Sequence, residues 1–123
     1  MKIKFSIIAL LLFGSILSTN AQQQQRSPEE RAKMTVARIS DSLGLDKSQA
    51  EKTTIAMTDY FVSMQKMRES LAPGTRPEPA DMEKLTKSRD EQLAKILTPA
   101  QLLKYKDMEE RMRQERMKSR GGQ

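Results

Sequence analysis

Neither cysteine nor histidine occurs in this chain, so two common catalytic chemistries are gone before any spacing is read. Without cysteine there is no thiolate nucleophile, no zinc-thiolate site and no disulfide. Without histidine the usual general base and the commonest transition-metal ligand are missing. What remains for reaction chemistry is carboxylates, lysines and hydroxyls. They form neither a glycine-rich phosphate loop nor a paired-carboxylate motif. An enzyme is therefore not expected, and no cofactor is expected either. The side chains whose spacing does stand out are hydrogen-bonding ones: Thr98 and Gln101 in LTPAQ, Leu97 to Gln101, and Asp46 and Gln49 in LDKSQ, Leu45 to Gln49.

Both stretches have the chemistry of a helix start. A helix leaves its first backbone N–H groups without partners, and a capping box satisfies two of them reciprocally. In LTPAQ the Thr98 hydroxyl can accept from the Gln101 N–H while the Gln101 amide reaches back to the Thr98 N–H. Pro99 suits the first helical position, where its missing N–H costs nothing, and its ring disfavours helical geometry at Thr98. Leu97 and Leu102 can staple across the junction, so one helix stops and the next begins at the same point. In LDKSQ, Asp46 is the cap and Gln49 closes the box.

The elements that must position these motifs follow from the apolar pattern. The first 21 residues read as a secretory signal peptide: Lys2 and Lys4, an apolar run from Phe5 to Leu17, and cleavage expected after Ala21. Gly14, Ser15 and Ser18 interrupt a run already short for a membrane span, so no stable membrane insertion is expected after cleavage. Gln22 to Arg26 is expected to be a disordered N-terminus, residues 27–120 one helical domain, and 121–123 a disordered tail. Removing Lys2 and Lys4 from the 22 Lys and Arg leaves 20 against 16 Asp and Glu, a net charge of +4. Such a surplus could mean nucleic acid inside a cell, but export argues against it, and no nucleic-acid partner is expected.

Large apolar side chains are sparse, yet they recur at helical spacing behind start signals, which makes the chain all-α with about four helices. Ser27, Pro28 and Glu30 open the first helix with a capping box, Ala32, Val36, Ile39 and Leu43 form its stripe, and Gly44 ends it, with Leu45 folding back on Ile39. The second is expected from Asp46 to about Leu71, with Ala50, Met57, Tyr60, Phe61, Met64, Met67 and Leu71 as its stripe. Pro73 to Pro79 is a turn by composition. The third helix opens at Pro79, and Arg89 interrupts its stripe of Met82, Leu85, Leu93 and Ile96. The fourth turns Tyr105, Met108 and Met112 inward and ends in a polar arm, RQERMKSRGGQ, with nothing to bury. A core this thin is commonly completed by a second subunit.

The repeated L-[T/D]-x-x-Q motif, behind a leader and beside a Met-rich helix and a proline turn, resembles the Spy/CpxP family of periplasmic proteins with its LTxxQ motif. Leu97, Thr98 and Gln101 match in full; Leu45 and Gln49 match with Asp46 in the threonine position. The resemblance covers roughly residues 39–112. It implies a dimer of long antiparallel helices forming a curved cradle. The cradle's concave, basic and partly apolar face holds unfolded proteins without ATP, in the periplasm. Some relatives instead bind metal ions or damp an envelope-stress sensor kinase; the metal branch fits poorly here.

Residues for a client or dimer contact should lie off the core stripes. Met34, Ile55, Val62 and Leu103 do so, as does Met117; Lys66 adds a cation. Ile55 and Val62, seven apart on one helix face, suit a dimer seam or a client contact. Scattered surface placement is the plainer reading of all of them. The methionines at 57, 64, 67, 108 and 112 read as core, although their flexibility suits a promiscuous binder. Arg111, Arg113, Arg116, Lys118 and Arg120 read as solvated complements to a helix end. The expected function is an exported ATP-independent holdase whose partners are unfolded client proteins and a second copy of itself. The alternatives are a stress-signalling modulator docking on one sensor protein, and a structural coiled-coil subunit.

Overall fold

The computed structural model describes residues 26–122; the expected leader, its cleavage point and the run Gln22 to Gln25 lie outside the described residues. Among the described residues there are four α-helices and no strand: α1 Pro28–Leu43, α2 Lys47–Glu69, α3 Pro79–Ile96 and α4 Pro99–Gly121. The start signals act as the local chemistry requires. Ser27 accepts from the Glu30 N–H at 3.2 Å, Asp46 from Gln49 at 2.7 Å and Thr98 from Gln101 at 3.2 Å. The boxes at Asp46 and Thr98 are complete. The expected box at Ser27 forms only by half, because the exposed Glu30 does not reach back; an exposed carboxylate loses little by staying hydrated. Gly44 ends α1 at φ 65°, and the Leu45 N–H closes onto the Ser40 carbonyl at 3.0 Å. The second helix stops at Glu69, two residues short of Leu71, where the Ser70 hydroxyl donates to the Met67 carbonyl. Its C-terminal end carries Lys66 and Arg68, favourable against the helix dipole. The last helix runs on to Gly121, the first residue of the expected tail.

Packing follows the stripes. Ala32, Val36, Ile39 and Leu43 of α1 are all buried, together with Ala56 and Met57 of α2, Leu93 and Leu97 around the end of α3, and Tyr105 of α4. Side chains as deeply buried as Ile39 and Leu93 each contribute about 2 kcal/mol of transfer free energy. Leu45, Phe61, Ile96, Leu102 and Met108 pack on this cluster from its margin. The helix α2 lies between α1 and α3, while α4 meets α1 and α3 more sparingly. From Arg113 onward every described residue is exposed, so the polar arm is helical with nothing packed on it.

One correction to the sequence reading concerns Arg89. It does not break the α3 stripe; it is buried within it, only 5% exposed. A guanidinium tolerates this because its five donors can be met by carboxylates and its flat faces by rings.

The two motifs, 52 residues apart, meet side by side. Gln49 Nε2 donates to Gln101 Oε1 at 2.7 Å, and Gln101 Nε2 donates back to Gln49 Oε1 at 3.2 Å. Each amide also holds the helix that precedes the other motif. Gln49 Nε2 donates to the Ile96 carbonyl at 3.3 Å, and Gln101 Nε2 donates to those of Leu43 and Gly44 at 3.2 and 3.4 Å. Their oxygens accept the Asp46 and Thr98 N–H groups at 3.2 and 3.0 Å, so all hydrogen-bonding capacity of both amides is used. Two side chains thereby tie the C-terminal ends of α1 and α3 to the N-terminal ends of α2 and α4.

Candidate functional site

Six arginines and one glutamate meet in an open cleft of about 390 Å³ lined by α1, α2, α3 and α4. Helical spacing builds it. From α1 come Arg31, Met34, Thr35 and Arg38, one face over two turns; from α2 come Met57, Tyr60, Phe61, Met64 and Arg68. Tyr105, Glu109, Met112 and Arg116 project from α4 at four- and three-residue steps, Arg89 comes from α3, and Arg26 joins from the chain ahead of α1. The floor is methionine and aromatic surface. The rim is arginine.

The one carboxylate lining the cleft, Glu109, is fully engaged. Arg89 grips it with Nη1 to Oε1 at 2.8 Å and Nη2 to Oε2 at 2.6 Å, and the Tyr105 hydroxyl donates to Oε1 at 2.8 Å. Asp90 accepts from Arg89 Nε and Nη2 at 3.1 and 2.9 Å. The guanidinium also lies 4.8 Å from the Tyr60 ring centre and 5.3 Å from that of Tyr105. Burial alone would lower the Arg89 pKa, but Tyr105, Glu109 and Asp90 together hold it above the usual guanidinium range. Burial pushes the Tyr105 phenol well above its ordinary range, with Arg89 opposing and Glu109 reinforcing. Arg89 is thereby held between two carboxylates and two rings at the α3–α4 side of the cleft.

The other five arginines of the cleft, Arg26, Arg31, Arg38, Arg68 and Arg116, have no carboxylate within ion-pair distance among the described residues. Arg31 is half-buried with its guanidinium 4.3 Å from the centre of the Phe61 ring. Burial and the facing Arg68 charge hold its pKa below the usual range. Arg26 Nη1 donates to the Met34 sulfur at 2.9 Å. Among the described residues no cluster of three or more acidic side chains is arranged as a metal centre. The cleft offers N–H donors, positive charge and soft apolar surface, a set suited to holding a ligand.

Of the contact residues read from sequence, only Met34 lines this cleft. Ile55 and Leu103 are 65% and 72% exposed and lie elsewhere, Val62 is half-buried, and Lys66 is exposed outside the lining. The motif residues Leu45, Asp46, Gln49, Leu97, Thr98, Pro99 and Gln101 lie at the helix junctions, outside the cleft. Sequence reasoning missed Arg31, Arg38 and Arg68. Their signal was present: Arg31 and Arg38 are seven apart around Met34, and Arg68 continues the α2 stripe four residues beyond Met64. Compared with protein-family models, curated proteins and solved structures, the chain matches none.

Proposed function

We propose that this protein is an exported, non-enzymatic, ATP-independent holdase of the Spy/CpxP type, which captures unfolded or aggregation-prone polypeptides in the arginine-rimmed cleft. The observation that carries the reading is the composition of that cleft: five guanidinium groups without a carboxylate partner among the described residues, around a floor of Met57, Tyr60, Phe61, Met64 and Met112. Arginine attracts acidic segments over a distance, and methionine and aromatic surface accommodates varied apolar side chains without demanding one shape. A small open cleft gives weak, reversible capture. In the proposed assembly the helices form antiparallel hairpins, and two copies join into a curved cradle through the side of α2 that carries Ile55 and Val62, away from its cleft-facing stripe. The periplasm is the proposed compartment.

The test is an aggregation assay on the purified protein with several unrelated unfolding substrates and no nucleotide. Suppression across them at near-stoichiometric ratio is expected, with loss of suppression in Arg31→Glu combined with Arg68→Glu. Protection of none, with tight binding to one sensor protein, would instead make the protein a signalling modulator.

A further inference from the structure

Three arginines of the cleft, Arg26, Arg31 and Arg68, also line a second hollow at the start of α1, with Ser27 and Pro28. Of the three, Arg26 is engaged with the Met34 sulfur, which leaves Arg31 and Arg68 as the pair to consider. The only carboxylate there, Glu69, accepts from Gln65 Nε2 at 2.9 Å instead of pairing with either arginine. Three cations thus share a hollow whose one carboxylate is turned elsewhere, with the charges of Arg31 and Arg68 acting on each other. Such an arrangement costs folding free energy and is relieved by an anion bound between them. The Arg31 guanidinium carbon lies 4.3 Å over the centre of the Phe61 ring, and among the described residues no acceptor or carboxylate takes its N–H groups, the fork that grips a carboxylate bidentately. Phe61 and Met64 line the same cleft and can take an apolar side chain.

We propose that Arg31 and Arg68 form a carboxylate clamp, so that the polypeptide segments best held by the cleft carry a carboxylate next to an apolar side chain. This rests on the cleft being the client-binding surface. The carboxylate is either the α-carboxylate of a chain end or an Asp or Glu side chain; both present the same pair of oxygens to the fork.

Four fluorescently labelled hexapeptides separate the sources: an apolar peptide with a free C-terminus, the same peptide amidated, the amidated peptide with one internal Asp, and that peptide with Asn for Asp. The clamp predicts that one or both carboxylate peptides bind about tenfold more tightly than the amidated and Asn peptides, as a charge-assisted pair is worth. A preference confined to the free C-terminus assigns the clamp to chain ends, and equal preference for Asp extends it to acidic side chains. The preference should vanish in Arg31→Gln with Arg68→Gln and persist in Arg120→Gln, an arginine outside the cleft. Arg31→Lys with Arg68→Lys keeps both charges but loses the forks, and it too should lose most of the preference. The proposal is overturned by equal binding of neutral and acidic peptides, by no binding of any, or by full preference in the lysine variant. Aggregation suppression measured on the same preparation separates the two readings. Suppression without a carboxylate preference leaves the holdase reading standing and removes the clamp. Preference without suppression does the reverse.

Discussion

Arg89 and Thr53 are two buried polar side chains with opposite circumstances. Every N–H of Arg89 that points at protein meets Glu109 or Asp90, and its faces meet Tyr60 and Tyr105. Removing one partner of a buried pair leaves the other uncompensated, a large cost that solvent reduces here because Glu109 is 33% exposed. Arg89→Leu should therefore lower unfolding free energy by about 2 kcal/mol, measured by urea denaturation. Arg89→Lys should recover little, since an ammonium cannot reproduce the fork. Thr53 is fully buried and its hydroxyl has no hydrogen-bond partner among the described residues. Thr53→Val keeps the shape and removes that orphan, so a gain of about 1 kcal/mol is expected in the same measurement. A loss would mean that the hydroxyl has a partner, such as a buried water.

Between elements, the decisive contact is the amide pair of Gln49 and Gln101. A capping residue alone is worth about 1 kcal/mol, and Thr98→Ala should show that loss. Removing either glutamine deprives one helix start of its box and the preceding helix of the other motif of its carbonyl partner. Gln49→Leu and Gln101→Leu should each cost more than Thr98→Ala. Because each amide is the other's partner, the double variant should cost less than the sum, with a coupling of about 1 kcal/mol in a double-mutant cycle. Strict additivity would show that the two junctions act independently. The caps themselves were legible in five residues each, since they are local hydrogen bonds with a fixed three-residue reach. Their meeting was not, because contact across 52 residues is set by how the two helix junctions pack together.

For the whole molecule, the open questions are assembly and the range of its charge. Ile55 is 65% exposed on the side of α2 away from the cleft stripe, with Val62 two turns on and half-buried. If a second copy covers this side, sedimentation at micromolar concentration should give a dimer, and Ile55→Asp with Val62→Asp should shift it to monomer. A compact monomer in both cases would remove the cradle from the proposal. The cleft charge acts at a distance. With a Debye length of about 8 Å at physiological ionic strength, salt screens long-range attraction while leaving apolar contact intact. Association with an acidic unfolded client should slow markedly as salt rises, with little change in dissociation, as stopped-flow mixing can resolve. An association rate indifferent to salt would assign the arginines to hydration alone.

The sequence by itself determined the elements. Capping boxes, Pro28, Pro79 and Pro99 at first helical positions, Gly44 at a positive φ and the three-to-four-residue apolar period are local rules, and they gave four helices with boundaries within two residues. The same rules named Ala32, Val36, Ile39 and Leu43 as core. Only the tertiary structure decided what the stripes face. Met57 and Met64 belong to a stripe read as core; both are buried, and both also line the cleft, because α1 and α4 leave a gap over that part of α2. Arg31, Arg38 and Arg68 gain their meaning in the same way. Along the chain each is one cation among many, and whether a carboxylate lies within reach is fixed by neighbouring helices rather than by neighbouring residues.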